Sequence, residues 1–271
     1  MRQGTKVLIT GGASGLGLEL ARRYGRRGAE VLVLDVDREG GAALMREGND
    51  LRGFGGSLHF CFCDLAKLDA RRPSEELVHA LREGEPFDIV LCNAGISNSD
   101  DFLKTTRKMD DTLFAVNVIG HMQLIKLLLG PGRIRDGGRL GLIASASLYL
   151  PFPIAVGYAA SKAAVSGLAH ALEPYLRGRG ISVTCVYPGP IKTPHATKYY
   201  ARFDEGKGAS PEKVAKAVER AIRRRSRRCR PDGVGRLFYF ASIFAPGLLA
   251  RITHAKYAAH LYGGATPDAK N

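Results

Sequence analysis

The chain has 271 residues, a formal net charge of +14 and a sequence pI near 9.8. Hydrophobic residues make up 45% of it and there is no low-complexity tract, so we expect a globular protein and exclude a largely disordered one. The length is compatible with a single α/β domain that has a large core.

A strand, a glycine-rich turn and a helix are predicted at the start of the chain. Residues 6–9 form a short apolar run typical of a buried strand, residues 10–17 are rich in glycine, and a helical pattern continues to Gly28. A second apolar run ends at Asp35, eighteen residues after Gly17. This order is typical of a mononucleotide-binding unit, because the glycines let the backbone approach a pyrophosphate and the helix N-terminus faces the anion.

Strand and helix patterns alternate along the rest of the chain, with Gly and Pro at the joints. The alternation predicts a doubly wound parallel sheet with helices on both faces, which is an α/β Rossmann fold. We predict one domain over residues 1–230, followed by an apolar C-terminal extension over 231–271. The predicted strands are 5–10, 30–35, 57–63, 87–92, 138–144 and 181–187, and the predicted helices are 16–28, 38–49, 68–82, 110–130, 155–178 and 211–225.

Further polar or glycine-containing motifs directly follow the predicted strands. Asp64 follows the third strand, residues 93–95 the fourth, Ser145 the fifth, and the Pro188–Gly189 pair the sixth. Open α/β sheets bind ligands outside the carboxyl ends of their strands. The motif positions therefore predict a single ligand site at that edge of the sheet.

A tyrosine and a lysine stand four residues apart in a predicted helix. Tyr158 and Lys162 would share one helix face, and Ser145 lies thirteen residues upstream of the tyrosine. An ammonium beside a phenol stabilises the phenolate, so we expect the pKa of Tyr158 to be lowered toward working pH. Such a group suits proton transfer in a carbonyl/alcohol couple.

Taken in order, these motifs resemble those of the short-chain dehydrogenase/reductase family over roughly residues 4–225. The resemblance implies an oxidoreductase that uses a nicotinamide cofactor and assembles as a homo-dimer or tetramer. It also implies that Lys162 binds the nicotinamide ribose and that Asn117 helps to hold a water in a proton relay. The catalytic residues so implied are Asn117, Ser145, Tyr158 and Lys162.

The resemblance also implies a set of cofactor-binding residues. Within that set, Asp35 would accept hydrogen bonds from ribose hydroxyls and repel a 2′-phosphate, which favours NAD. Ser14 stands where NADP-using relatives often carry a basic residue, whereas Arg38 could pair with a 2′-phosphate, so NADP is the alternative. The set is Thr10, Gly11, Ser14, Gly15, Leu16, Gly17, Asp35, Asp64, Leu65, Asn93, Ala94, Gly95, Tyr158, Lys162, Pro188, Gly189, Ile191 and Thr193.

Other residues compete for the same roles. Ser147 rivals Ser145, but the spacing to the tyrosine selects Ser145. Ser161 lies inside the Tyr/Lys motif and is expected to point elsewhere on the helix. His121 and His170 lie in helical segments and are predicted to be packing or surface residues, while His195 is a candidate for substrate contact.

The substrate side is predicted from a loop and from the C-terminal extension. The loop 192–208 is expected to cover the substrate, with Tyr199, Tyr200 and Phe203 as an apolar wall. An apolar, aromatic segment over 236–252 resembles the tails of family members that act on steroids, retinoids or keto-lipids. It also fits an interfacial helix on a membrane, or a helix packed on the domain or a partner subunit.

The densest basic run, residues 223–230, has three interpretations: nucleic acid, anionic lipid or a solvated helix end. Base-stacking aromatics are not interleaved with its arginines, which argues against nucleic acid. Jointly with the apolar tail, the run is predicted to dock on an anionic membrane surface.

The five cysteines show no metal-ligand spacing, and four of them fall in apolar strand-like runs. We therefore predict buried, reduced thiols, no metal site and a cytoplasmic protein that contacts membranes only peripherally. The first predicted strand leaves no room for an N-terminal signal, and the longest uncharged apolar stretch, 237–250, is too short and too broken to span a bilayer. The alternative to an enzyme is a binding or regulatory protein that keeps the fold without turnover.

Overall fold

A computed structural model describes residues 2–48, 53–82, 84–98, 102–151, 153–193 and 208–261. Its centre is a seven-stranded, fully parallel sheet in the order β3-β2-β1-β4-β5-β6-β7. The strand order reverses beside β1, which confirms the predicted doubly wound topology. The strands are β1 Lys6–Thr10, β2 Glu30–Asp35, β3 Ser57–Phe62, β4 Phe87–Cys92, β5 Ile134–Ile143, β6 Ser182–Val186 and β7 Arg228–Cys229.

Helices cover both faces of this sheet. One apolar layer joins the sheet to α1 and α7, and the other joins it to α3, α5 and α6. The near-continuous burial of β1, β2 and β4 is what a parallel sheet covered on both faces requires. The helices are α1 Gly15–Gly25, α2 Arg38–Gly48, α3 Glu75–Arg82, α4 Arg107–Phe114, α5 Gly120–Leu129, α6 Val156–Leu176, α7 Pro211–Arg223, α8 Gly233–Phe244 and α9 Pro246–Leu261.

Two predicted elements have different limits in the structure. The predicted helix 68–82 begins only at Glu75, because Asp69 accepts a hydrogen bond from the backbone N–H of Arg71 and closes a local turn before Pro73. The predicted strand 138–144 begins earlier, at Ile134, which pairs with Phe87 of β4.

The predicted helix 110–130 is divided by a π-helical turn. Residues Ala115–Ile119 form this turn between α4 and α5, and the N–H of Gly120 donates to the carbonyl oxygen of Ala115 five residues earlier. Single π turns inside α-helices are rare and are frequently found at functional sites. The turn contains Asn117.

The combined helix Arg107–Leu129 is also the one described segment long and apolar enough to cross a membrane by length and composition. Leu124, Ile125 and Leu128 pack into the core against the sheet, and Asn117 and His121 are buried as well. A helix buried in the core of a protein can be as long and as apolar as a membrane span, and the packing of Arg107–Leu129 against the sheet is that of a core helix.

The arginines of the run have partners at both ends of the sheet. Arg225 donates to the carbonyls of Gly137 and Gly180, near the amino ends of β5 and β6, and Arg227 pairs with Glu173 at 2.7 Å. Arg230 lies at the opposite end of the sheet, over the ring of Tyr239 in α8. The run therefore extends along β7, which the sequence pattern did not predict, so that Arg225 lies far from the apolar tail while Arg230 contacts it.

The C-terminal extension is helical and contacts the domain through its first helix. Tyr239 packs edge-on against Tyr149, with ring centroids 5.2 Å apart, and Arg230 lies between these rings and Tyr187. Pro246 separates α8 from α9 because it begins the second helix after Ala245, whose backbone is not helical. The predicted cysteine burial is confirmed, since all five thiols are buried and free.

Candidate active site

In the glycine-rich turn, neighbouring backbone atoms lie in the space that side chains would otherwise fill. Gly11 has φ +66° and Gly15 has φ +55°, a region that L side chains avoid. A β-carbon at Gly17 would overlap the carbonyl oxygen of Gly11 and lie 2.6 Å from Nδ2 of Asn93. Leu16 anchors the first turn of α1 in the core, while Ser14 is exposed and its side chain does not cap the helix.

Thr10 and Asn93 fasten this turn to the end of β4. The Thr10 hydroxyl oxygen accepts hydrogen bonds from the backbone N–H groups of Asn93 and Ala94, at 2.9 and 3.0 Å. Asn93 Nδ2 donates in return to the carbonyl oxygens of Thr10 and Gly11, both at 3.0 Å. These bonds fix the carboxyl ends of two neighbouring strands at the predicted site.

Asp35 ends β2 with its carboxylate turned toward the glycine-rich turn. One oxygen accepts a hydrogen bond from the N–H of Ala13 at 2.9 Å, and the other accepts from the N–H of Asp37 at 3.1 Å. The guanidinium of Arg38 lies 4.1 Å from the centroid of the Phe62 ring. The carboxylate is therefore held in place by backbone donors, while the nearest candidate cation stacks on an aromatic ring.

Asp64 and Leu65 shape the next loop. Asp64 accepts from the N–H of Ala66 at 3.0 Å and pairs with Lys67 at 3.4 Å. Leu65 is buried, and its carbonyl oxygen lies so close to Gly120 that a β-carbon there would overlap it. The loop after β3 thus packs directly on the first residue of α5.

Lys162 lies at the centre of the candidate site. Its Nζ is buried, donates to the carbonyl oxygen of Ile143 at 3.0 Å, and lies 5.7 Å from the centroid of the Tyr158 ring. Burial lowers the pKa of Lys162 to about 8. Gly95 leaves room for it, since a β-carbon there would lie 3.1 Å from Nζ and 3.2 Å from Oδ1 of Asn117.

Asn117 is fully buried and held at both ends of its amide. Oδ1 accepts from the N–H of Ile96 at 2.8 Å, and Nδ2 donates to the carbonyl oxygen of Ile96 at 2.9 Å and to Oγ of Ser161 at 3.0 Å. Ser161 donates in turn to the carbonyl oxygen of Tyr158 at 2.8 Å. Ser161, expected to point elsewhere, therefore links Asn117 to the catalytic helix.

Ser145 and its rival Ser147 have different environments. Oγ of Ser145 accepts a hydrogen bond from the N–H of Ser147 at 3.1 Å and so caps the 3-10 turn Ala146–Tyr149. Its O–H is left to donate elsewhere. Ser147 is buried, whereas Ser145 and Tyr158 are both partly exposed. This difference supports the choice of Ser145.

The segment after β6 closes the site from the other side. The carbonyl oxygen of Pro188 accepts from the N–H of Ala146 at 2.8 Å. Ile191 forms an isolated bridge with Ala209, and a β-carbon at Gly15 would lie 3.3 Å from Cγ2 of Thr193. The predicted contacts of His195, Tyr199, Tyr200 and Phe203 lie outside the described residues.

Sequence reasoning missed two residues that shape the site. Asp232 accepts from the N–H of Gly189 at 2.8 Å and from the N–H of Gly235 at 2.7 Å, so it caps α8 and holds the loop after β6. An Asp before a Gly at the start of an apolar helix is an N-cap signal, but nothing local points to Gly189. His121, predicted to be a packing or surface residue, is buried and contacts both Thr10 and Asn117.

The fold and this site define a Rossmann-type nucleotide-binding domain with a Tyr/Lys/Ser/Asn cluster beside the cofactor turn. Comparison with known proteins gives the family, because residues 5–203 match the sequence pattern described as short chain dehydrogenase. The chain therefore belongs to the short-chain dehydrogenase/reductase family and is an NAD(P)-dependent oxidoreductase.

The similar proteins include a sugar dehydrogenase and a ketoreductase. The chain is 33% identical to D-xylose 1-dehydrogenase of Caulobacter vibrioides, covering 73% of this chain and 76% of that protein. It is 30% identical to dehydrogenase/reductase SDR family member 7B of Xenopus laevis, covering 94% and 82%. Among solved structures, landomycin C-6 ketoreductase LanV with bound NADP and rabelomycin is 25% identical, with TM-score 0.72, covering 85% and 96%.

Proposed function

We propose that this oxidoreductase interconverts a secondary alcohol and a ketone on a lipophilic substrate, with NAD as its preferred cofactor. The observation that carries the proposal is the buried Lys162 beside Tyr158, with Ser145 capping the adjacent turn. These groups lie at the carboxyl ends of β5 and β6, next to the turn that would hold the dinucleotide. The direct test follows the absorbance of the reduced cofactor with steroids, retinoids, keto-lipids and sugars.

In the proposed mechanism, a nicotinamide cofactor held by the glycine-rich turn would supply the hydride chemistry, and the side chains of this protein handle the accompanying proton. Tyr158 gives or takes this proton at the substrate oxygen. Lys162 is mostly charged below its pKa of about 8, and its ammonium favours the phenolate form of Tyr158. Ser145 donates a hydrogen bond to the substrate oxygen as charge develops there. Asn117 would help to hold the water of a relay to Lys162.

The preference for NAD rests on Asp35. Its carboxylate faces the glycine-rich turn, where it would accept bonds from the ribose hydroxyls and repel a phosphate in their place. Solved structures of similar proteins contain either NADP, as in LanV, or NAD, so the preference has to come from this chain's own residues. The stacking of Arg38 on Phe62 supports the proposal, because Arg38 is the cation nearest in sequence to Asp35 and its guanidinium already contacts an aromatic ring. It would have to leave this ring to bind a 2′-phosphate.

Replacing Asp35 by Asn is expected to lower the ratio of NAD affinity to NADP affinity by about tenfold, because one charged hydrogen-bond acceptor is lost. The preference for NAD should then be narrowed or reversed. Calorimetric titration of NAD and NADP against both proteins measures it. Asp37→Asn is the matched control: it removes a neighbouring charge but keeps an acceptor for the N–H of Gly40, so its cofactor ratio should stay that of the wild type. Tighter binding of NADP than of NAD by the wild type would overturn the assignment.

A lipophilic substrate and a membrane contact are supported by the apolar face of the extension. Leu237, Phe240 and Phe244 follow one face of α8 and are all more than half exposed, as are Leu248 and Ile252 of α9. Residues 233–261 contain no Asp or Glu, while Arg236, Arg251 and Lys256 are exposed. An apolar face flanked only by cations matches an anionic bilayer surface. We propose that a cytoplasmic homo-oligomer docks there peripherally.

The double variant Leu237→Asp/Phe244→Asp is expected to weaken binding to vesicles of anionic phospholipid by about tenfold or more, because charged groups replace the buried apolar contacts. Co-sedimentation at low and high salt measures this. Tyr175→Asp, at an exposed aromatic position of α6, is the control and should bind like the wild type. Equal binding of all three proteins would refute the membrane contact, and loss of an oligomer in light scattering would assign the face to a second copy of the chain.

A further inference from the structure

A buried histidine connects the cofactor turn to the catalytic cluster. One ring nitrogen of His121, Nε2, lies 3.0 Å from Oγ1 of Thr10, and the other, Nδ1, lies 3.1 Å from the carbonyl oxygen of Asn117. The ring is 2% exposed. Both neighbouring oxygens can accept a hydrogen bond, so the two distances alone do not say whether Nδ1 or Nε2 carries the ring proton.

The environment of Thr10 determines it. A hydroxyl has two lone pairs and one O–H, and both lone pairs of Thr10 are used by the N–H groups of Asn93 and Ala94. The O–H of Thr10 must therefore donate to Nε2 of His121. A neutral imidazole that accepts at Nε2 carries its proton on Nδ1, and this proton is donated to the carbonyl oxygen of Asn117.

The surroundings also keep the ring uncharged. Burial, with a smaller contribution from the charge of Lys162 on α6, lowers the pKa of His121 to about 4. Protonation would place a second N–H against the Thr10 oxygen, which has no lone pair left to accept it. Geometry and electrostatics thus select the same neutral tautomer.

The resulting hydrogen bonds connect the side chains of four residues and end at the backbone of the catalytic helix. Thr10 donates to His121, and His121 donates to the backbone carbonyl oxygen of Asn117. The side-chain amide of Asn117 donates to Ser161, which donates to the backbone carbonyl oxygen of Tyr158. Every donor in this buried series has an acceptor, and such satisfied networks hold a single arrangement of their members.

We propose that His121 is a positioning residue, fixed as the neutral Nδ1–H tautomer, that sets the cofactor turn through Thr10 and the catalytic cluster through Asn117. Its two nitrogens act on two different steps. The bond to Thr10 supports cofactor binding, and the bond to Asn117 supports turnover by holding the π-helical turn against Ser161 and Tyr158. The kinetic part of this inference rests on the proposed function, whereas the tautomer does not.

The tautomer can be tested without any substrate. In 15N–1H correlation spectra of protein labelled with 15N-histidine, the signal that disappears in His121→Gln is assigned to His121. It should show a protonated Nδ1 and an unprotonated Nε2, unchanged between about pH 5.5 and pH 8. A protonated Nε2, or a charged ring in this interval, would overturn the inference whatever the activity of the enzyme.

Two partial replacements separate the roles of the nitrogens. The amide of Asn can approximate Nδ1 and that of Gln can approximate Nε2, so each variant retains one bond. His121→Asn is expected to weaken NAD binding about tenfold with kcat within about twofold, and His121→Gln to lower kcat about tenfold with NAD affinity within about twofold, as expected for one buried hydrogen bond.

His170, exposed on α6, provides the control, and its Asn and Gln variants should match the wild type in both quantities. Calorimetry of NAD binding is independent of turnover, so an enzyme inactive on every substrate still reports the Thr10 side. Thermal unfolding is recorded for all variants. The proposal would be refuted if both His121 variants lost NAD affinity and kcat to the same extent, and if these losses followed the decrease in unfolding temperature. That result would indicate a purely structural histidine.

Discussion

Tyr158→Phe is expected to lower kcat by at least about a hundredfold while leaving NAD affinity within about twofold. The substitution keeps the ring beside Lys162 but removes the O–H, and general acid–base catalysis contributes at least this factor. Steady-state kinetics with any substrate that gives turnover, together with calorimetric titration of NAD, measure the two quantities separately.

Tyr175→Phe is the matched control because Tyr175 lies on the same helix, 77% exposed to solvent. It loses the same atom and should keep wild-type kcat. Near-normal turnover by Tyr158→Phe would remove Tyr158 from the proton-transfer role. A parallel loss of NAD affinity would show instead that the phenol group mainly supports the fold of the cofactor site.

Gly17→Ala is expected to weaken NAD binding by about tenfold to a hundredfold and to lower the free energy of unfolding by about 1–3 kcal/mol. The added methyl group would overlap the carbonyl oxygen of Gly11 and press on Asn93, so the glycine-rich turn must move away from α1. Calorimetry and urea denaturation measure the two effects.

The control for Gly17→Ala is Gly167→Ala, in the middle of α6, where an added β-carbon meets nothing within 4 Å. There the substitution should raise the free energy of unfolding by about 0.5–1 kcal/mol, because alanine is the better helix former. Unchanged NAD binding by Gly17→Ala would mean that the turn tolerates a side chain and that its close approach to Gly11 is not required.

The sequence predicted those parts of the fold whose signals are local. Six strands followed from apolar runs bounded by Gly and Pro, and several site residues followed from motifs that each lie at the end of one strand. Asp35 and Ser145 could be placed this way because parallel strands bring their carboxyl ends to one edge. The family comparison and the seven-stranded sheet confirm the predicted family and fold class.

The features that escaped prediction depend on contacts distant in sequence. The sequence around Asn117 has an ordinary helical pattern and does not predict the π turn. The turn is associated with hydrogen bonds of the Asn117 amide with Ile96 and Ser161, which are distant in sequence. The strand β7 has only two residues, and its pairing with β6 outweighs the charge of a segment rich in arginine. Arg225 and Arg230 were grouped by adjacency, yet their partners lie at opposite ends of the sheet.

One carboxylate joins the extension to the loop after β6. Asp232 holds the N–H of Gly189 with one oxygen and the N–H of Gly235, in the first turn of α8, with the other. Because binding linkage is reciprocal, an event that shifts α8 and one that orders Gly189 must alter each other's free energy by the same amount. Binding of a bilayer by α8 and binding of a dinucleotide near Gly189 would then each change the affinity for the other. Asp232 would couple the two sites because it bonds to both.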